Sequence, residues 1–161
     1  MTFALYCNRA CRSVAVRTLF RGVSRLGNGV FWYSLMLALI VVDGAAAGRP
    51  VLQMLLAGAL GVLVYRWLKQ ATLRPRPYQI APDIVVAATP LDQFSFPSGH
   101  TLHAVSFSTI ACSHYPDLAP LLLPFVALVA ASRPILGLHY PSDVLAGAAI
   151  GASIGGLALL F

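Results

Sequence analysis

From Val30 to Leu68 only Asp43, Arg49 and Arg66 carry charge, and the apolar side chains between them run almost unbroken. Few folds tolerate such a stretch. A soluble domain must cover its surface with polar groups, and this chain has little to spend. Charged residues make up 10% of its 161 residues, against roughly a quarter in ordinary soluble domains, and 58% are apolar. The mean hydropathy is +0.79. These figures exclude a soluble enzyme, a disordered chain and a nucleic-acid-binding domain, and make lipid the expected solvent. The net charge of +6 then points to anionic lipid or a phosphorylated substrate rather than nucleic acid.

A membrane span needs about 20 apolar residues, fewer where the bilayer thins. On that basis we place five spans: Val30–Ala47, Pro50–Leu68, Gly99 to about Ser113, Leu118 to about Ser132, and Ser142–Phe161. The expected fold is all-α, a polytopic helix bundle. Residues 29–161 form its transmembrane domain, and residues 1–28 a separate amphipathic interfacial arm. Arg9, Arg12, Arg17, Arg21 and Arg25 recur at near-helical intervals in that arm. Each costs about 2.5–3.5 kcal/mol at mid-bilayer, so the arm lies on the membrane, against anionic headgroups, rather than across it. No apolar core long enough for a cleaved signal peptide follows the basic residues before Gly27. Gly27-Asn28-Gly29 is expected to break the helix before the first span. Gly147, Gly151 and Gly155 share one face of the last span. We read them as packing within the chain; an oligomer through them is possible but not expected. Cys7, Cys11 and Cys112 match neither a disulfide framework nor a zinc pattern and are read as small apolar residues.

Ionisable groups in so apolar a chain are expected where they work. They gather in three segments: Lys69 to Pro77, Pro97-Ser98-Gly99-His100, and Ser132-Arg133 followed by His139-Tyr140-Pro141-Ser142-Asp143. Alternating spans bring all three to one side of the membrane. The residues between Gln70 and Ser98 exceed what a connection needs, which marks a functional loop. Lys69, Arg74, Arg76 and Arg133 then converge where only a substrate is expected to balance them. Guanidinium forks match phosphate oxygens. Ser98 is a natural helix cap, Gly99 permits close approach to the backbone, and a helix opening there would aim N–H groups at an anion. Asp143 stands four residues after His139, where it would hold the imidazole in one tautomer, the arrangement of an activated nucleophile. His100 is placed to protonate a leaving oxygen. His103 is expected to pack through a hydrogen bond, Arg49 and Arg66 to anchor at the interfaces, and His114 to sit at the far face. A zinc site from His100, His103 and His139 is disfavoured by the surrounding cations.

Lys69-x6-Arg76-Pro77, Pro97-Ser98-Gly99-His100 and Ser132-Arg133-x5-His139-x3-Asp143 together resemble the three-part signature of the type 2 phosphatidic acid phosphatase superfamily. The resemblance implies that His139 attacks phosphorus to form a phosphohistidine and that His100 protonates the leaving group. Lys69, Arg76, Ser98, Gly99 and Arg133 would hold the phosphoryl oxygens, and neither metal nor cofactor is required. It implies a phosphatase of membrane lipids in the plasma membrane, acting on a polyprenyl diphosphate, phosphatidylglycerophosphate or phosphatidic acid. The family commonly has six spans; here the first is reduced to the arginine-rich arm. Transfer of the phosphoryl group to another lipid would use the same site. A non-enzymatic protein that binds anionic lipid or conducts an anion explains the cations but not the histidines. The positive-inside rule would turn the motif face toward the cytoplasm, whereas the resemblance implies an outward-facing site, which is the orientation we adopt.

Overall fold

The computed structural model describes residues 2–161, whose regular elements are all helical, with no strand among them and an irregular loop between residues 81 and 98. The arm holds α1 (Thr2–Asn8), a 3₁₀ turn (Arg9–Arg12) and α2 (Val14–Arg25). The bundle holds α3 (Phe31–Asp43), α4 (Gly48–Thr72), the single turn α5 (Pro77–Ile80), α6 (Gly99–His114), α7 (Ala119–Ile135) and α8 (Pro141–Ala158). Helices thus occupy each of the five apolar stretches. Within the stretches Val14–Ile80 and Pro116–Ile135 lie helical windows long and apolar enough to cross a membrane.

The breaks follow local chemistry. Between α2 and α3 the path leaves helical geometry at Asn28 and at Gly29, where φ is +109°, a region open to glycine at little cost. Leu73 ends α4 in the left-handed conformation. Pro141 opens α8 at its first turn, where a missing N–H costs nothing, and the Asp143 carboxylate accepts the Tyr140 N–H across that turn at 2.8 Å.

Trp32, Met54, Leu102, Ile110 and Leu122 form the buried core between α3, α4, α6 and α7. Outside, aliphatic side chains such as Leu37, Val42, Leu52, Leu63, Leu121 and Leu145 are exposed. So much apolar surface on the outer faces is a belt that water would not tolerate. The closest helix pair is α6 against α8. A Cβ on Gly147, Gly151 or Gly155 would come within 3 Å of the Ser98, Leu102 and Ser106 carbonyl oxygens respectively. The glycine face is therefore used inside the chain, and it brings Ser98 and Asp143 together: the Ser98 N–H donates to the Asp143 carbonyl at 3.0 Å.

The arm is bound to the bundle by specific contacts. Asn8 donates to the carbonyls of Val85 and Ile135 at 3.0 and 2.8 Å and accepts from the Val85 N–H at 2.8 Å. Cys11 is buried against Ala87, Leu136 and Leu138, and Arg21 donates to the Ala87 carbonyl.

Candidate active site

The three polar segments meet at one end of the bundle, around a cavity of about 750 Å³. Its polar end is lined by Lys69, Arg76, Asp92, His100, Arg133 and His139; Trp32, Met36, Met54, Leu55 and Phe107 line its apolar end. Gly99 lies on the wall as well.

His139 is buried and fixed from behind. Its Nδ1 lies 2.7 Å from the Ser95 carbonyl oxygen. That acceptor requires the proton on Nδ1, which leaves Nε2 with its lone pair. Nε2 in turn is 3.3 Å from Nη1 of Arg76. The expectation that Asp143 sets this tautomer needs correction. Its carboxylate is 3.6 Å from Nδ1, beyond a hydrogen bond. The carboxylate is engaged instead with Arg74 at 2.7 Å and with the Tyr140 N–H. Asp143 therefore acts on the imidazole as a buried charge and through the shape of the α7–α8 turn. Burial pushes the His139 imidazole well below its ordinary range, and the charges of Arg133, Arg76 and Lys69 push the same way. Both effects favour the neutral ring, whose Nε2 lone pair is free to bond.

The cations are also not waiting for substrate alone. Asp92 accepts from Lys69 at 2.6 Å through one oxygen and from Arg76 at 2.7 Å through the other. Burial alone would raise the Asp92 carboxyl; the hydrogen bond and charge of Lys69, then those of Arg76, outweigh it and hold it below the usual carboxylate range. Arg76 further donates to the carbonyls of Asp92 at 3.0 Å and Leu138 at 2.7 Å. Arg74 is shared between Ser142 and Asp143 and lies over the Tyr140 ring, 4.3 Å from its centroid. Arg133 alone of the four has no carboxylate partner among the described residues. Its Nη1 donates to Ser24 Oγ at 2.7 Å, and its Nε is buried without a partner.

Ser98 is not on the cavity wall. Its hydroxyl is buried against that of Thr101 at 3.0 Å, it makes no side-chain cap, and its N–H is taken by Asp143. It joins α6 to α8 beneath the site. His103 donates its Nε2–H to the Gly58 carbonyl, 3.2 Å away, and packs between Tyr65 and Phe107. His114 pairs with Gln53 at 2.7 Å on the far side. Among the described residues no three His, Cys, Asp or Glu are grouped to hold a metal.

Two participants were not singled out from the sequence. Asp92 had a signal: it is one of two carboxylates in the long loop between motifs. Ser95 had none, since it acts through its main chain. Its N–H donates to the Arg74 carbonyl at 2.9 Å and its hydroxyl to that of Pro75 at 3.1 Å, so one residue ties the first segment to His139 of the third.

Comparison with known proteins agrees with this geometry. The family model of the PAP2 superfamily matches residues 50–161. Decaprenylphosphoryl-5-phosphoribose phosphatase of Mycobacterium tuberculosis is 35% identical over 143 residues, covering 85% of this chain and 75% of the relative. The protein of that name from Mycolicibacterium smegmatis is 36% identical over 80 residues, 50% of this chain and 42% of the relative. Among solved structures, Aquifex aeolicus LpxE superimposes with a TM-score of 0.86 at 27% identity, over 99% of this chain and 94% of that one. A transmembrane PAP2-type phosphatidylglycerolphosphate phosphatase from Bacillus subtilis gives 0.75 at 25% identity, over 99% and 84%.

Proposed function

The chain belongs to the PAP2 superfamily, and on that premise we propose that it is an integral-membrane lipid phosphatase working through a phosphohistidine. The observation that carries the reading is the pairing of a buried His139, held at Nδ1 by the Ser95 carbonyl, with a cavity that is cationic at one end and apolar at the other. A phosphate group fits the cationic end; a lipid chain fits the space beside Trp32, Met36 and Leu55.

In the first step His139 Nε2 donates its lone pair to phosphorus. The bond from phosphorus to the lipid oxygen breaks, and His100, which enters the step as an imidazolium beside the bound phosphate anion, supplies the proton that oxygen needs. Arg76 lies 3.3 Å from Nε2, near enough to follow the phosphoryl oxygens as charge builds on them; Lys69 and Arg133 hold the same group. Charge stabilisation and positioning are most of what phosphoryl transfer requires, so cations of the chain stand where other phosphatases use a metal. In the second step water attacks phosphorus, giving its proton to the His100 base, and the P–N bond breaks. Inorganic phosphate leaves and His139 is restored.

The substrate is a membrane lipid bearing a terminal phosphate or diphosphate: a polyprenyl phosphate derivative, as the named relatives favour, phosphatidylglycerophosphate or phosphatidic acid. The five long helices α3, α4, α6, α7 and α8 are the spans, the arm lies along the interface, and the cavity opens on the outer face of the plasma membrane. The test is release of inorganic phosphate by the detergent-solubilised protein from each lipid in EDTA. Release from at least one, abolished in His139→Ala, is the expected result. No release from any of them, or release that EDTA stops and zinc or magnesium restores, overturns the reading.

A further inference from the structure

The arm borders the cavity at Gly27 and Asn28, and through one side chain it holds a cation of the cavity wall, Arg133. Only Val23 and Ser24 of α2 are buried, and the Ser24 hydroxyl is the sole hydrogen-bond partner of the Arg133 guanidinium among the described residues. The contact is built into the packing. A Cβ on Gly27 would meet Val129 Cγ2 at 3.0 Å, so residues 24 and 27 of the arm run antiparallel to 133 and 129 of α7. Asn8 and Cys11 hold the other end of the arm against the loops that flank His139.

The chemistry of the partner matters. Lys69 and Arg76 share a carboxylate, and Arg74 has another. Arg133 is only 3% exposed, yet it meets a neutral oxygen and keeps Nε unpartnered. A hydroxyl orients a guanidinium without cancelling its charge, and a guanidinium fork must be oriented to meet two phosphate oxygens at once. An unpaired buried N–H is costly, and an anion in the cavity that Arg133 lines would relieve it.

We propose that the N-terminal arm completes the phosphate site, with Ser24 as a positioning residue that aims Arg133 at the bound phosphoryl group. The proposal rests on the reading of the cavity as a phosphate site. It makes the arm, which carries most of the exposed arginines, part of the catalytic unit as well as a membrane contact.

The test uses the full chain in detergent and inorganic phosphate as the probe, with affinity read from calorimetric titration and the unliganded thermal midpoint measured alongside. Ser24→Thr and Ser24→Val have nearly the same shape and differ in the hydroxyl. Ser24→Ala removes the hydroxyl without adding bulk, so the comparison stands even if Val is poorly tolerated. Thr should bind phosphate within about twofold of the parent, and Val and Ala about tenfold more weakly, the effect of losing one hydrogen bond to a charged group. The apparent KM should rise in the same order. Equal affinities for Thr and Val, or an equal weakening of both, overturn the proposal. A parent protein that binds no phosphate overturns instead the reading of the cavity on which it rests.

Discussion

Lys69 Nζ lies 2.6 Å from an Asp92 oxygen, at the cationic end of the cavity, where the proposed function places the phosphate. The other Asp92 oxygen is on Arg76. Two of the cations that the motifs bring to phosphate are therefore already satisfied by one carboxylate, which is 36% exposed and carried on an irregular loop. Phosphate binding has to redistribute these contacts, because two anions on the same pair of cations repel each other.

Asp92→Asn should consequently bind inorganic phosphate more tightly. A charge pair about 4 Å apart near a protein surface interacts by about 4 kcal/mol before compensation, and most of that is offset by rearrangement. A gain of about three- to tenfold in affinity is the expected outcome, read by competitive inhibition or calorimetry. A tenfold loss would mean that Asp92 orders Lys69 and Arg76 for substrate more than it competes with it.

The same pair sets an acid limit on stability. The Asp92 carboxyl is held below its ordinary value of 3.8 in the fold, so the unfolded chain takes up its proton first as pH falls. The stabilisation is fully present above about 3.8 and is lost as pH falls through the lower, folded value. Thermal midpoints of the parent and Asp92→Asn should therefore differ at pH 6 and converge toward pH 2. A constant difference across that range would show that the ion pairs do not cause it.

Much of this was legible beforehand, and the limits have physical causes. Apolar runs located the helices because a bilayer-sized helix must be apolar along most of its length. The motif spacing brought Lys69, Arg76, His100, Arg133 and His139 to one cavity because alternating helices return to the same end. Asp143 misled because spacing four residues from His139 permits contact without enforcing it; the helix start at Pro141 and Arg74 claimed its oxygens. The Ser95 carbonyl was invisible because every residue has one. Ser24 was hidden by distance, since only the fold of the arm against α7 shows which polar residue of α2 points inward.

The α6–α8 contact gives a sharp packing test. A methyl at Gly151 would be driven into the Leu102 carbonyl, whereas one at Gly156 meets nothing within 4 Å. Overpacking of this kind costs typically about 1–3 kcal/mol, so Gly151→Ala should lower the thermal midpoint by several degrees. Gly156→Ala should leave it unchanged or raise it slightly. Equal effects would mean that the two helices separate easily.

The two histidines should fail differently. His139→Ala should abolish turnover, and an acid-labile, base-stable phosphoprotein trapped in the parent should be missing from it. His100→Ala should lose about 10²–10⁴-fold, the usual contribution of a general acid, and mostly on lipid substrates whose alkoxide leaves poorly. An aryl phosphate with a good leaving group should recover much of the rate. The same loss on both substrate types would remove His100 from that role.

Orientation sets two physical rules against each other. Ten of the eleven Lys and Arg fall on the cavity side of the helices, and only Arg49 lies opposite. Taken alone, the positive-inside rule turns that side to the cytoplasm. The cations at the site answer to chemistry rather than to membrane insertion, and the arm's arginines suit anionic headgroups on either leaflet. With the cavity on the outer face, Phe161 lies at the cytoplasmic end of α8. Leu91 and Phe161 are both well exposed and lie toward opposite ends of the bundle. Single cysteines there, in a background lacking Cys7, Cys11 and Cys112, report each side separately. In intact cells a membrane-impermeant thiol reagent should label position 91 and spare 161. Labelling of 161 alone would reverse the orientation, and the charge distribution of the arm would then be what fixed it.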